Sequence, residues 1–101
     1  MSHPKQKNIF LIINQFAGHG KNRNRKIEAA ISWLKSNAVK VDFAYTDYPG
    51  HATELAAKAA GGDFEIIVAV GGDGTVNEVA LGLIGTSTPM GIIPMGSGNG
   101  L

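Results

Sequence analysis

The run Ile66-Ile67-Val68-Ala69-Val70 stops at Gly71-Gly72-Asp73-Gly74-Thr75, and beyond it the apolar spacing changes from continuous to helical. No other feature of the chain restricts its fold as much. An uninterrupted β-prone run needs cover on both faces, and a helix entered through so tight a turn supplies cover on one of them. The same change of period occurs elsewhere. Ile9 to Ile13 is another apolar run, and between Arg23 and Asn37 the residues Ile27, Ala30, Ile31 and Leu34 fall at i, i+3, i+4 and i+7. Val39 to Tyr45 alternates, as a strand at or near a sheet edge does. Pro49-Gly50 marks a turn; Ala52, Leu55, Ala56 and Ala59 then repeat the helical spacing until Gly61-Gly62. After the glycine-rich turn, Val76, Val79, Ala80 and Leu83 share one helical face, and Met90-Gly91-Ile92-Ile93 forms a short fourth strand.

Strand and helix alternate without a hairpin signal, so the expected fold class is α/β: a parallel, Rossmann-like sheet flanked by helices. Ligands of such sheets collect beyond the carboxyl ends of the strands. The loops that matter are then Asn14 to Asn22, Thr46 to Gly50, Gly71 to Thr75 and Pro94 to Gly100, three of them rich in glycine. The alternation calls for a further helix after Gly100, which makes the boundary at Leu101 look imposed by truncation. A length of 101 residues holds one domain, and 44% hydrophobic with 17% charged residues is the balance of a folded chain rather than a disordered one. The absence of cysteine excludes disulfides, zinc–thiolate sites and a thiol nucleophile. A net charge of +1 gives no whole-molecule attraction to nucleic acid, and no nucleic-acid partner is expected. No apolar stretch approaches the length of a membrane span, and a cytoplasmic location is expected.

Glycines at 71, 72 and 74 let backbone N–H groups approach a ligand, and the helix that follows adds unpaired N–H groups and the positive end of its dipole. A carboxylate in a phosphate loop repels phosphate. Asp73 therefore makes best sense if Mg²⁺ lies between them or if it orients a hydroxyl; the alternative is that Asp73 and Thr75 cap the helix. Familiar nucleotide signatures fail on inspection. Gly18-His19-Gly20-Lys21 lacks the first glycine of a Walker A loop and has Asn22 where Ser or Thr is needed, and Asn77 replaces the third glycine of the dinucleotide fingerprint.

Gly71-Gly72-Asp73-Gly74-Thr75-Val76-Asn77-Glu78, followed by Ile93-Pro94-Met95-Gly96-Ser97-Gly98-Asn99, resembles the catalytic domain of diacylglycerol kinases, whose relatives include sphingosine and ceramide kinases and, more distantly, NAD kinases. The resemblance covers nearly the whole chain, residues 1–101, as the amino-terminal ATP-binding part of that catalytic unit. It implies a kinase that transfers the γ-phosphoryl group of ATP to a lipid hydroxyl such as that of diacylglycerol, with Mg²⁺. The lipid would be held at the membrane surface by a carboxy-terminal β-rich domain, and the full-length protein could form a homodimer. It also implies that this part alone is inactive and that the enzyme is peripheral to the membrane while acting. Carried over position by position, Asn14-Gln15-Phe16-Ala17-Gly18 resembles the first phosphate loop, with Gln15 in place of the usual proline, a change expected to loosen the turn. Thr46, Gly71, Gly72, Asp73, Gly74, Thr75, Val76, Asn77 and Ser97 complete the implied nucleotide contacts, with Asp73 placing Mg²⁺ or the acceptor. The alternatives are an NAD kinase-type enzyme and a non-catalytic nucleotide-binding regulatory module.

Lys21, Arg23, Arg25 and Lys26 cluster at a helix start, where cations oppose the dipole. They are either a solvated face or a contact for an anion. His3, His19 and His51 show no metal-ligand spacing, and Trp33 is expected to pack beside the stripe of its helix.

Overall fold

The structure is a computed structural model that describes residues 7–15, 22–37 and 39–95. Its elements alternate as the pattern requires: β1 (Lys7–Asn14), α1 (Asn22–Ser36), β2 (Val39–Thr46), α2 (His51–Ala60), β3 (Ile66–Gly71), α3 (Asp73–Leu83) and β4 (Met90–Pro94). The strands form one parallel sheet in the order β2-β1-β3-β4, which leaves β2 at an edge as expected. Its register brings the carboxyl ends level: Asn14 pairs with Thr46 across β1 and β2, Ile13 with Val70 across β1 and β3, and Gly71 with Pro94 across β3 and β4.

The period-2 geometry of the strands divides the core in two. Ile12, Ile67 and Ala69 face α2 and α3, where they meet Ala52, Ala56, Val79 and Leu83. Leu11, Ile13, Val68 and Val70 face the other way, toward Ile27 of α1 and Met95. Strands β1 and β3 supply both cores, which is why their sequences read as continuous apolar runs. On the first face α2 and α3 pack closely because Gly82 carries no Cβ. An added Cβ would meet the Thr53 carbonyl, and Ala56 Cβ at 2.8 Å.

Two expectations need correction. Ala80 is exposed, and Thr75, Val79 and Leu83 form the buried stripe of α3, because close packing against α2 and β3 turns that face inward. Trp33 is 65% exposed, since the stripe of α1 is narrow and Trp33 falls beyond its edge. The helical end at Gly61-Gly62 is as expected; their N–H groups bond to Lys58 O at 3.2 Å and Ala59 O at 2.9 Å, a tightened last turn.

Candidate functional site

The order in which strands are added reverses between β1 and β3: one connection leaves β1 for β2 and the next returns past it to β3, all strands staying parallel. Outside the carboxyl ends of the strands at such a switch point the loops part and leave a crevice. A cavity of about 320 Å³ lies there, lined by Asn14, Thr46, Asp47, Tyr48, Pro49, Ala52, Gly74, Thr75 and Glu78.

A part-buried polar pair lies at its base. Asn14 Nδ2 donates to Thr75 Oγ1 at 3.2 Å, joining the end of β1 to the first turn of α3. Thr75 is only 5% exposed, and its side chain fills the space beside Gly71, where an added Cβ would lie 2.8 Å from Thr75 Cβ and 3.3 Å from Asn14 Cβ. Gly71 is thus required by the fold. Gly72 and Gly74 are different. Neither has a positive φ, and a Cβ added at either would meet nothing within 4 Å. Neither backbone strain nor internal packing calls for glycine at those two positions, and both are exposed at the amino end of α3.

The far wall is the segment from Thr46 to Gly50. Gln15 Nε2 donates to Thr46 O at 2.6 Å and to Asp47 Oδ1 at 3.2 Å. Asp47 N donates to His51 Nδ1 at 2.9 Å, and the imidazole stacks on the Tyr48 ring with centroids 4.3 Å apart. Tyr48 Oη donates to Glu54 Oε1 at 2.7 Å, and that bond to a carboxylate raises the phenol above its usual pKa. Glu78 closes the wall from α3: its Oε2 accepts from Gly50 N at 3.2 Å, and its carbonyl accepts from Thr53 Oγ1 at 2.7 Å.

The residues singled out in the sequence are distributed unevenly around this cavity. Asn14, Thr46, Gly74 and Thr75 line it. Gln15 braces its wall from behind, Gly71 makes room for Thr75, and Gly72 is the amino cap of α3, without a side-chain hydrogen bond capping the helix. Asp73 is exposed in the first turn, outside the lining. Val76 packs against the core beneath α2 and α3, and Asn77 is exposed; neither lines the cavity. Phe16, Ala17, Gly18, Lys21 and Ser97 lie outside the described residues, and Arg25 and Lys26 are exposed. Among the described residues no group of three or more His, Asp or Glu side chains is placed to hold a metal ion.

Sequence reasoning placed the Thr46 to Gly50 loop at the ligand end of the sheet but singled out only Thr46 in it, and it missed Ala52, Glu78 and the structural part played by His51. Glu78 was within reach, since it follows Gly74 by four residues and so shares its helical face. Which side chains of the Asp47 to Ala52 wall face inward was not, because that depends on the Gln15 and His51 side-chain bonds.

With this geometry in view, comparison with known proteins is informative. Residues 8–101 match the sequence model of the diacylglycerol kinase catalytic domain. The chain is 33% identical over 105 residues to sphingoid long chain base kinase 5 of Saccharomyces cerevisiae, a match covering 96% of this chain and 15% of that protein. It is 45% identical over 56 residues to diacylglycerol kinase of Bacillus subtilis, covering 54% of this chain and 18% of that one. A crystal structure of a diacylglycerol kinase from Bacillus anthracis superposes with a TM-score of 0.78 at 29% identity, covering 93% of this chain and 33% of that chain. The chain therefore spans about a third or less of the length of these three proteins.

Proposed function

This chain belongs to the diacylglycerol kinase catalytic domain family, and from that premise we propose that it is the nucleotide-binding part of an enzyme that transfers the γ-phosphoryl group of ATP to a lipid hydroxyl. The observation that carries the proposal is the pair of bare glycines. Gly72 and Gly74 leave open space over the amino end of α3 that nothing in the fold requires. The first turn of a helix presents N–H groups without partners inside the helix, a good seat for phosphate oxygens when no Cβ stands in the way.

Charge divides the site between the parts of a nucleotide. Asp47 and Glu78 line the cavity and disfavour phosphate there. An uncharged base and ribose suit the part of the cavity between Ala52, Pro49 and the Tyr48 wall, while the phosphates suit the glycine turn at its edge, where Gly74 joins the lining. Mg²⁺ is commonly held by one or two carboxylates together with substrate phosphates rather than by a full protein cage. Asp73, exposed in the first turn of α3, is the carboxylate suited to that part, and Mg²⁺ would supply neutralisation of charge on the transferring group. What the chain itself contributes is positioning: N–H groups for the phosphates and fixed walls for the base and ribose. The acceptor class, a lipid hydroxyl, follows the names of the relatives; that the enzyme is cytoplasmic and peripheral to the membrane is part of the same proposal. No described helix is long and apolar enough to cross a membrane.

An NMR titration of the chain with Mg·ATP, with NAD as the comparison ligand, tests the proposal. ATP-specific shifts at Asn14, Thr46 and Gly71–Thr75 are the expected result. Stronger binding of NAD would move the chain to an NAD kinase-type activity.

A further inference from the structure

Asn14 and Gln15 are consecutive residues at the carboxyl end of β1, an inner strand of the sheet, and their amides reach in opposite directions. Asn14 Nδ2 donates to Thr75 Oγ1 at 3.2 Å, on the α3 side of the cavity. Gln15 Nε2 donates to Thr46 O at 2.6 Å and to Asp47 Oδ1 at 3.2 Å, on the β2 side. A carboxamide nitrogen carries two N–H groups, enough for both Gln15 bonds at once. Two adjacent side chains therefore tie the two walls of the cavity to the strand between them.

We propose that Gln15 is a positioning residue of the nucleotide site, holding the Thr46–Asp47 wall at the separation from α3 that the ligand requires. The inference rests on the nucleotide reading given above. Proline, the residue expected at this position, stiffens a turn covalently by fixing φ. Gln15 would stiffen the same place by cross-linking it to the neighbouring strand, against the expectation that glutamine loosens the turn. The held parts matter to a ligand. Thr46 is only 8% exposed, so its carbonyl has little water to replace a lost donor. Asp47 lines the cavity, and a carboxylate that accepts from Gln15 presents its remaining acceptor sites in a fixed direction. The brace extends to α2, because Asp47 N donates to His51 Nδ1 at 2.9 Å.

Two substitutions separate this role from a general effect on folding. Gln15→Ala removes both bonds. Gln15→Glu keeps the length but, when ionised, sets a carboxylate against the Thr46 carbonyl and Asp47; once protonated it regains one O–H donor. His51 and Asp47 also face this wall, so each variant is compared with the parent chain at the same pH. Calorimetric titration with Mg·ATP should show Gln15→Ala weakened about fivefold and Gln15→Glu about tenfold or more at pH 8. The Gln15→Glu deficit should shrink as the pH falls to about 5.5, while the Gln15→Ala deficit stays constant. Two results would overturn the proposal: parental affinity in both variants, or a Gln15→Glu deficit that ignores pH. If the parent chain is folded yet does not bind Mg·ATP, the nucleotide reading fails for it. The brace is then judged by amide exchange at Asp47, which must quicken in Gln15→Ala and is refuted by unchanged exchange.

Discussion

Glycine occurs in this site for two physically distinct reasons, and a methyl group distinguishes them. At Gly71 the space that a Cβ would take is already filled by Thr75 and Asn14, so alanine there would damage the fold before it could report on a ligand. At Gly74 the space is empty and φ is not positive. Alanine at a helical position favours folding by up to about 1 kcal/mol relative to glycine, so on structural grounds Gly74→Ala should be neutral or mildly stabilising. A ligand that seats its phosphate on that backbone would be obstructed by the same methyl. The expected outcome is an unfolding midpoint that holds or rises while Mg·ATP affinity falls about tenfold or more, a loss of about 1.4 kcal/mol in binding. A variant both as stable and as tightly binding as the parent would remove the bare-glycine argument. The sequence showed a strand, a glycine turn and a helix following one another without interruption, but not that Gly71 differs in kind from Gly72 and Gly74. It did not show that Thr75 turns inward to Asn14 instead of capping α3, since that choice depends on a residue 61 positions away.

The elements themselves were legible because their signals are local. Apolar runs, helical spacing and glycine stops placed all four strands and three helices within about three residues of their observed bounds, the largest difference being the start of α3 at Asp73 instead of Val76. Which side of each helix would be buried was less legible. A spacing of i, i+3, i+4 marks a stripe but not its edges, and α3 turns Thr75 inward and Ala80 outward because α2 presses on it from one side. Gly82 is the means of that approach. An alanine Cβ there would run into the Thr53 carbonyl, into Ala56 Cβ at 2.8 Å and close to Ala57 N at 3.1 Å. Two of those three atoms are backbone, which cannot swing aside as a flexible side chain can. Overpacking of this kind costs about 1–3 kcal/mol and outweighs the gain of up to about 1 kcal/mol in helix propensity. Gly82→Ala should therefore lower stability by about 1–2 kcal/mol in urea unfolding, although alanine ordinarily helps a residue inside a helix, here in the last turn of α3. A neutral or stabilised variant would mean that α2 and α3 have room to separate.

At the scale of the molecule, the rim of the site belongs to the folded unit as a whole. The register aligns Asn14 with Thr46 and Gly71 with Pro94, and side-chain bonds from Asn14, Gln15 and Glu78 join β1, β2, α2 and α3 at their upper ends. A ligand gripping such a rim binds only the native arrangement, so its binding energy adds to global stability. One site with free ligand at ten times Kd contributes about 1.4 kcal/mol. For a domain near 100 residues each kcal/mol moves the thermal midpoint by about 4–8 °C, so Mg·ATP should raise it by roughly 6–11 °C. Were the loops only loosely attached to the sheet, binding would order them locally and the global midpoint would scarcely move. Calorimetric scans with Mg·ATP and with NAD at equal concentration therefore test two links together: that the rim is part of the cooperative fold, and that it prefers a nucleoside triphosphate. A shift with ATP well above that with NAD supports both. A larger shift with NAD would keep the rigid rim and change the ligand, and no shift despite binding detected by titration would show that the loops respond apart from the core.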